Sequence, residues 1–176
     1  PQANKAKMQS KLPKIAPLLS SEDIIFLPEA SLSTVEKVRK RQLEVLAYPG
    51  YLLHYSHSGK MVVYIKENIA TTITVSFPEE PEIIGSVAMV RHVGGTWAAV
   101  GVYAPNMRVQ RAAGSKGVDV EGRLAFDTAL FALLEQLAGV PKVALVGDLN
   151  LVWEGTGGGK HGDLRDRWKA ALGRFG

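Results

Sequence analysis

The chain has 176 residues, 46% of them hydrophobic and 22% charged, which suits one globular domain with a sizeable core. It has no cysteine, which excludes disulfides and thiolate metal sites and fits a reducing compartment. No apolar run nears the ~18 residues of a membrane span, and the polar start Pro1-Gln-Ala-Asn-Lys-Ala-Lys7 lacks a signal-peptide centre, so an intracellular location, the nucleus included, is expected without membrane attachment or secretion.

Apolar positions Met8, Leu12, Ile15, Leu18 and Leu19 fall at helical spacing over residues 3–19, and Pro13 and Pro17 predict a kink or a restart near Pro13. Asp23-Ile-Ile-Phe-Leu27 reads as a first buried strand ending in Pro28-Glu29. Ser33 or Thr34 can cap a helix running to about Ala47, with Glu36 near its positive end. Tyr51 to His57 reads as a strand, Ser58-Gly59 as a tight turn, Met61 to Lys66 as another strand, and Ile69 to Phe77 as a further Thr- and Val-rich one. After a loop at Pro78 to Pro81, Ile83 to Val93 and Thr96 to Tyr103 predict a hairpin joined at Gly94-Gly95. A Gly- and Arg-rich loop follows from Ala104 to about Asp119. The clearest helix covers 121–138, with Leu124, Phe131, Leu134 and Leu137 on one side and Gly139 as its stop. Val143-Ala-Leu-Val, with its β-branched valines, predicts a short strand buried on both faces, and Asp163 to Leu172 a last short helix.

Hairpins in the middle and helices between strands at both ends predict an α+β fold, an α/β sandwich of two stacked mixed β-sheets flanked by helices. No repeat and no long linker divides residues 1–176, so a single domain is expected.

Three predicted strands end in polar residues that a buried strand does not need. They are Ile24-Ile-Phe-Leu-Pro-Glu29, Val100-Gly-Val-Tyr-Ala-Pro-Asn106 and Val143-Ala-Leu-Val-Gly-Asp-Leu-Asn150. Asp148 and Asn150, two apart, point to the same side of an extended chain. A turn explains that pair alone, because Gly, Asp and Asn are ordinary turn residues. Three such ends together can frame one site, since ligands in layered sheets gather beyond strand ends. Two carboxylates with amide oxygens make a hard oxygen site, suited to Mg²⁺ or Mn²⁺ and not to zinc.

Other features read more plainly. The net charge of +4 implies mild attraction to polyanions, but the basic clusters at Lys5 to Lys14, Lys37 to Arg41, Arg108 to Lys116 and Lys160 to Lys169 read first as solvated surface. His54 and His57 lie three apart, on opposite sides of a strand, which makes a poor metal pair; they and His92 read as structural. Trp97, Trp153 and Trp168 read as packing, although Trp153 is close enough to Asn150 to border a site. Gly157 to Gly159 lacks the strand–loop–helix setting of a phosphate cradle.

The order Asp23-Ile-Ile-Phe-Leu-Pro-Glu29, Gly59-Lys-Met-Val-Val-Tyr-Ile-Lys66, Val102-Tyr-Ala-Pro-Asn106, Arg123-(x2)-Phe126 and Gly147-Asp-Leu-Asn150 resembles the exonuclease–endonuclease–phosphatase superfamily over about residues 5–155. The nearest flavour is the endonuclease of non-LTR retrotransposons and its apurinic/apyrimidinic endonuclease relatives. The resemblance implies a four-layered α/β sandwich with its site at one edge of the sheets. It implies Glu29 as metal ligand, Tyr103 beside the scissile phosphate, Asn106 closing that motif, Asp148 activating the attacking water and Asn150 holding phosphate or water. Arg123 would place the loop or a backbone phosphate. Mg²⁺ or Mn²⁺ would neutralise charge on the phosphate during in-line attack.

The chain also departs from that pattern. It begins after the position of the family's first strand and its metal-binding asparagine, and it ends before the Ser-Asp-His motif; His161 comes too soon after Asp148 to replace it. Pro28 stands where the family usually has glutamine. A domain incomplete at both ends is therefore expected, with open sheet edges that a homo-oligomer or another partner would complete. Two functions follow: a Mg²⁺-dependent nuclease acting on DNA rather than RNA, impaired by the missing groups, or a noncatalytic remnant binding nucleic acid or a partner through its basic surface.

Overall fold

The computed structural model describes residues 12–105, 120–150 and 166–170. Leu12–Ile15 (α1) and Leu18–Ser21 (α2) are single turns that break before Pro17, whose ring removes the N–H an unbroken helix needs, so the predicted restart falls later than Pro13. Ile24–Leu27 (β1) leads to the Glu29 loop, and Glu36–Leu46 (α3) follows. Neither Ser33 nor Thr34 caps α3; the residue at that position is Val35, with no side-chain bond. The Ser33 hydroxyl instead accepts from Val35 N at 3.1 Å, closing the loop just before the helix.

Tyr51–Tyr55 (β2) and Val62–Lys66 (β3) pair antiparallel, and β1 pairs antiparallel with the other side of β3. The strand predicted from Ile69 starts late: Glu67–Thr72 is a 3-10 helix, tied by the Thr72 hydroxyl donating to Ile69 O at 2.8 Å, and only Ile73–Ser76 (β4) is extended. The predicted hairpin is present as Val87–His92 (β5) and Ala98–Tyr103 (β6). Val120–Glu135 (α4) lies in the connection from β6 to Val143–Asp148 (β7), which pairs parallel with β6. A helix, α5, covers 166–170. No helix among the described residues is long and apolar enough to cross a membrane.

The strand orders are β1-β3-β2 and β4-β5-β6-β7. The first sheet is wholly antiparallel; only the second is mixed. β3 is central and buried along both faces: Val62 and Tyr64 face the helices α1, α2 and α3, while Val63 and Ile65 face the second sheet. On the far side, Val87, Val100 and Val102 pack with Phe126, Leu130 and Leu134 of α4 and with Trp168 of α5. The result is an α+β sandwich of four layers, helix–sheet–sheet–helix, with a core in each of the three gaps.

The expectation for Val143 to Val146 needs correcting. Among the described residues β7 is an edge strand, half-buried along the α4 face at Val143 and Leu145 and exposed on the other at Ala144 and Val146. Phe26 of β1 sits against Gly101, so β1 lies over β6. The three-stranded sheet thus stops one strand short of β7, and no other described element covers the inner face. An apolar run reports burial only if the layer above extends that far.

Candidate functional site

The site is built by two close approaches that glycine permits. A Cβ on Gly101 would lie 2.2 Å from the Phe26 ring, so only glycine lets β1 settle on β6. Glu29, three residues past Phe26, can then meet Tyr103, two past Gly101. Gly147 has φ +138°, and a Cβ there would lie 1.9 Å from Val102 O. It turns the end of β7 tightly against β6 just before Asp148.

Tyr103 and Asp148 are register partners on the parallel strands β6 and β7, so their side chains leave the sheet at the same end. The Tyr103 hydroxyl donates to the Glu29 carboxylate. Its pKa is raised, first by loss of water around the phenol, then by that hydrogen bond and by the negative charges of Glu29 and Asp148. Glu29, Tyr103 and Asp148 are therefore one electrostatic cluster, drawn from three strand ends in both sheets.

The loops are held by backbone bonds. Ala30 N donates to Lys60 O and Leu32 N to Gly59 O, both at 2.8 Å, anchoring the Glu29 loop on the β2–β3 turn. Ala104 N donates to Asp148 O at 2.9 Å, joining the ends of β6 and β7. Asn150 N donates to Asp148 Oδ1 at 2.8 Å, fixing the carboxylate, and Asn150 Nδ2 donates to Ala104 O at 2.5 Å. Glu29, Ser31 and Asn150 have φ of 51°, 56° and 48°. Left-handed backbone costs an ordinary side chain energy and clusters where function over-determines geometry; here it falls on two site residues and one neighbour.

Arg123 does not reach outward. It is fully buried in α4, where it donates from Nε to Asp127 Oδ1 at 3.0 Å, from Nη1 to Pro105 O at 2.9 Å and from Nη2 to Leu149 O at 2.8 Å. Of its two expected roles, this is the loop-holding one. Asp127 went unnoticed in the sequence, although its spacing of four from Arg123 on a helix is a recognisable pairing signal.

Asn106, Trp153, Gly157 to Gly159 and His161 lie outside the described residues. His54 is on β2, where burial lowers its pKa, and His57 follows that strand. His92 stacks on Trp97 away from the site, at the other end of β5 and β6, and Trp168 is core.

Among the described residues no three His, Cys, Asp or Glu converge as a ready metal cage. The donor chemistry nonetheless suits a magnesium-like ion, which keeps several waters and takes one or two carboxylates. Glu29 and Asp148, both exposed and both acting on Tyr103, would supply those oxygens.

A model of the Endonuclease/Exonuclease/phosphatase family matches residues 4–171. No curated protein matches the sequence.

Proposed function

The chain belongs to the endonuclease/exonuclease/phosphatase family, whose members hydrolyse phosphoester bonds, and from that membership we propose that it is a Mg²⁺-dependent phosphodiesterase acting on DNA. The observation that carries the reading is the convergence of Glu29, Tyr103 and Asp148, registered in the phenol of Tyr103. Asp148 takes the proton of the attacking water; its carboxylate is oriented by the Asn150 N–H. Tyr103, a neutral phenol whose pKa Glu29 and Asp148 raise further, would turn its single O–H from Glu29 to a phosphate oxygen once Glu29 takes up the ion, serving as a hydrogen-bond donor and not as a base. Glu29 would hold the divalent ion, Mg²⁺ or Mn²⁺, which when bound supplies neutralisation of the phosphate charge. Asn106 and Asn150 are proposed to steady the substrate, with Arg123 holding the loops that carry them.

The net charge of +4 favours a polyanion over a small phosphoester, and the motif order resembles retrotransposon and apurinic/apyrimidinic endonucleases, hence DNA and a nuclear setting. Supercoiled plasmid incubated with the protein and Mg²⁺ provides the test. EDTA-sensitive nicking is expected, and a rate no higher than that of Asp148→Ala would sink the proposal.

A noncatalytic binding role is the second reading. It is favoured by the Asn150 carboxamide, which is already engaged by Ala104 O. Duplex affinity that falls steeply with salt and ignores EDTA, without nicking, would select it.

A further inference from the structure

We propose that Asp127 is a positioning residue for the phosphoester site, acting through Arg123 to set how the strand ends carrying Tyr103 and Asp148 stand relative to one another; the proposal rests on the function proposed above. The two side chains are 0% exposed, so neither can exchange its partner for water. A guanidinium is a rigid planar fork, and once Nε is fixed the directions of both Nη groups are fixed too. Asp127 holds Nε, and the Nη groups then grip Pro105 O and Leu149 O. Pro105 is two residues past Tyr103, and Leu149 adjoins Asp148. One buried carboxylate therefore aims a clamp that spans both walls of the site, and Ala104 N to Asp148 O and Asn150 Nδ2 to Ala104 O join the same two walls.

The surroundings leave Asp127 little alternative. Phe126 lies beneath the guanidinium, its ring centre 5.8 Å from Arg123 Cζ. The Trp168 indole N–H and Arg167 act on the Asp127 carboxylate as well, yet Asp127 Oδ2 and Trp168 Nε1 complete no aligned hydrogen bond among the described residues. Burial pushes the Asp127 carboxyl up from its ordinary value against the pull of Arg123. A pair kept at that cost is poorly explained by stability alone, because a well-packed apolar replacement is often as stable. A lysine at 123 offers a single ammonium and cannot span Pro105 and Leu149 while facing Asp127.

The test compares Asp127→Ala, Asp127→Asn and Arg123→Lys in thermal unfolding, in kcat and KM for Mg²⁺-dependent plasmid nicking, and in amide hydrogen exchange at Ala104 and Asn150. Displacement of reacting groups by about 1 Å costs on the order of 100-fold in rate. We therefore expect Asp127→Ala and Arg123→Lys to lose about 10- to 100-fold in kcat with KM within about 2-fold, and Asp127→Asn, which keeps Oδ1, to lose less. Exchange at Ala104 and Asn150 should quicken in the same order while the fold persists. Should Asp127→Ala not fold, Asp127→Asn and Arg123→Lys carry the comparison. Folded variants with unchanged kcat and unchanged exchange overturn the proposal. Faster exchange in a protein whose wild type never nicks DNA would leave the clamp standing and overturn only the nuclease reading.

Discussion

Tyr103 and Asp148 stand opposite each other on two parallel strands, and the Tyr103 hydroxyl reaches across the sandwich to the Glu29 carboxylate. A phenol is thus held between two carboxylates from different sheets. Either carboxylate alone disfavours a phenolate; both together, with the water around the ring reduced, raise the phenol's pKa above its ordinary value.

Tyr103→Phe isolates that donor, since it removes one oxygen and leaves the ring. Loss of a single preorganised donor to a reacting oxyanion costs about 100- to 1,000-fold in kcat. Because Tyr103 also holds Glu29, a loss in that range is expected for Mg²⁺-dependent nicking, with unfolding little changed. A Phe variant with wild-type kcat would remove Tyr103 from the chemistry.

The path from sequence to site was clear where local chemistry decides and obscure where packing does. Glu29, Tyr103 and Asp148 stood out as candidates because three apolar runs each end in polar residues, although a turn accounts for any one of those ends alone. The hairpin at Gly94-Gly95 was visible because turns require glycine. Three things were not. The exposure of Val146 depends on how far the opposite sheet extends, which no residue of β7 encodes. The 3-10 turn before Ile73 was hidden inside a Thr- and Val-rich run. The inward direction of Arg123 depends on carbonyls at Pro105 and Leu149, 18 and 26 residues away in the chain. Its partner Asp127 was legible in principle, four residues along the same helix.

Gly101→Ala tests whether sheet contact builds the site. The added methyl would meet the Phe26 ring, which must move with β1 or leave its place. Overpacking of this kind costs about 1–3 kcal/mol. Denaturant unfolding should show that loss, and the nicking rate should fall with it as Glu29 is displaced from Tyr103. In a double-mutant cycle with Phe26→Leu, the combined cost should be smaller than the sum. Additive costs would mean the two residues do not meet.

Val146 is 48% exposed on a strand that pairs only with β6 among the described elements. Such an edge, apolar and extended, invites another strand, in keeping with the proposed homo-oligomer or completing partner. Val146→Lys should reduce concentration-dependent association in sedimentation velocity while shifting stability by no more than about 0.5 kcal/mol, as exposed substitutions do. If wild type and variant sediment alike as monomers at every concentration, the edge is not an association surface for this chain.

Alkaline pH should weaken the fold through Tyr64 as well as Tyr103. Tyr64 is 0% exposed, donates to Leu46 O at 3.0 Å, and is pushed by burial from 10.0 to about 12. Tyr103 shifts in the same direction. A folded-state pKa above the unfolded one means the native protein holds the proton longer, so the contribution is complete below the unfolded value and is lost as pH rises through the folded one. For Tyr64 that window runs from about 10 to about 12, and the loss is of order 3 kcal/mol. Unfolding free energies measured across it should fall for wild type and fall less steeply for Tyr64→Phe, which starts lower by about 1 kcal/mol because Leu46 O loses its donor. Phenolate absorbance should likewise show Tyr64 and Tyr103 ionising at higher pH in the native protein than in the unfolded one. Parallel stability curves for wild type and Tyr64→Phe above pH 10 would show that the buried phenol is not what alkaline conditions titrate.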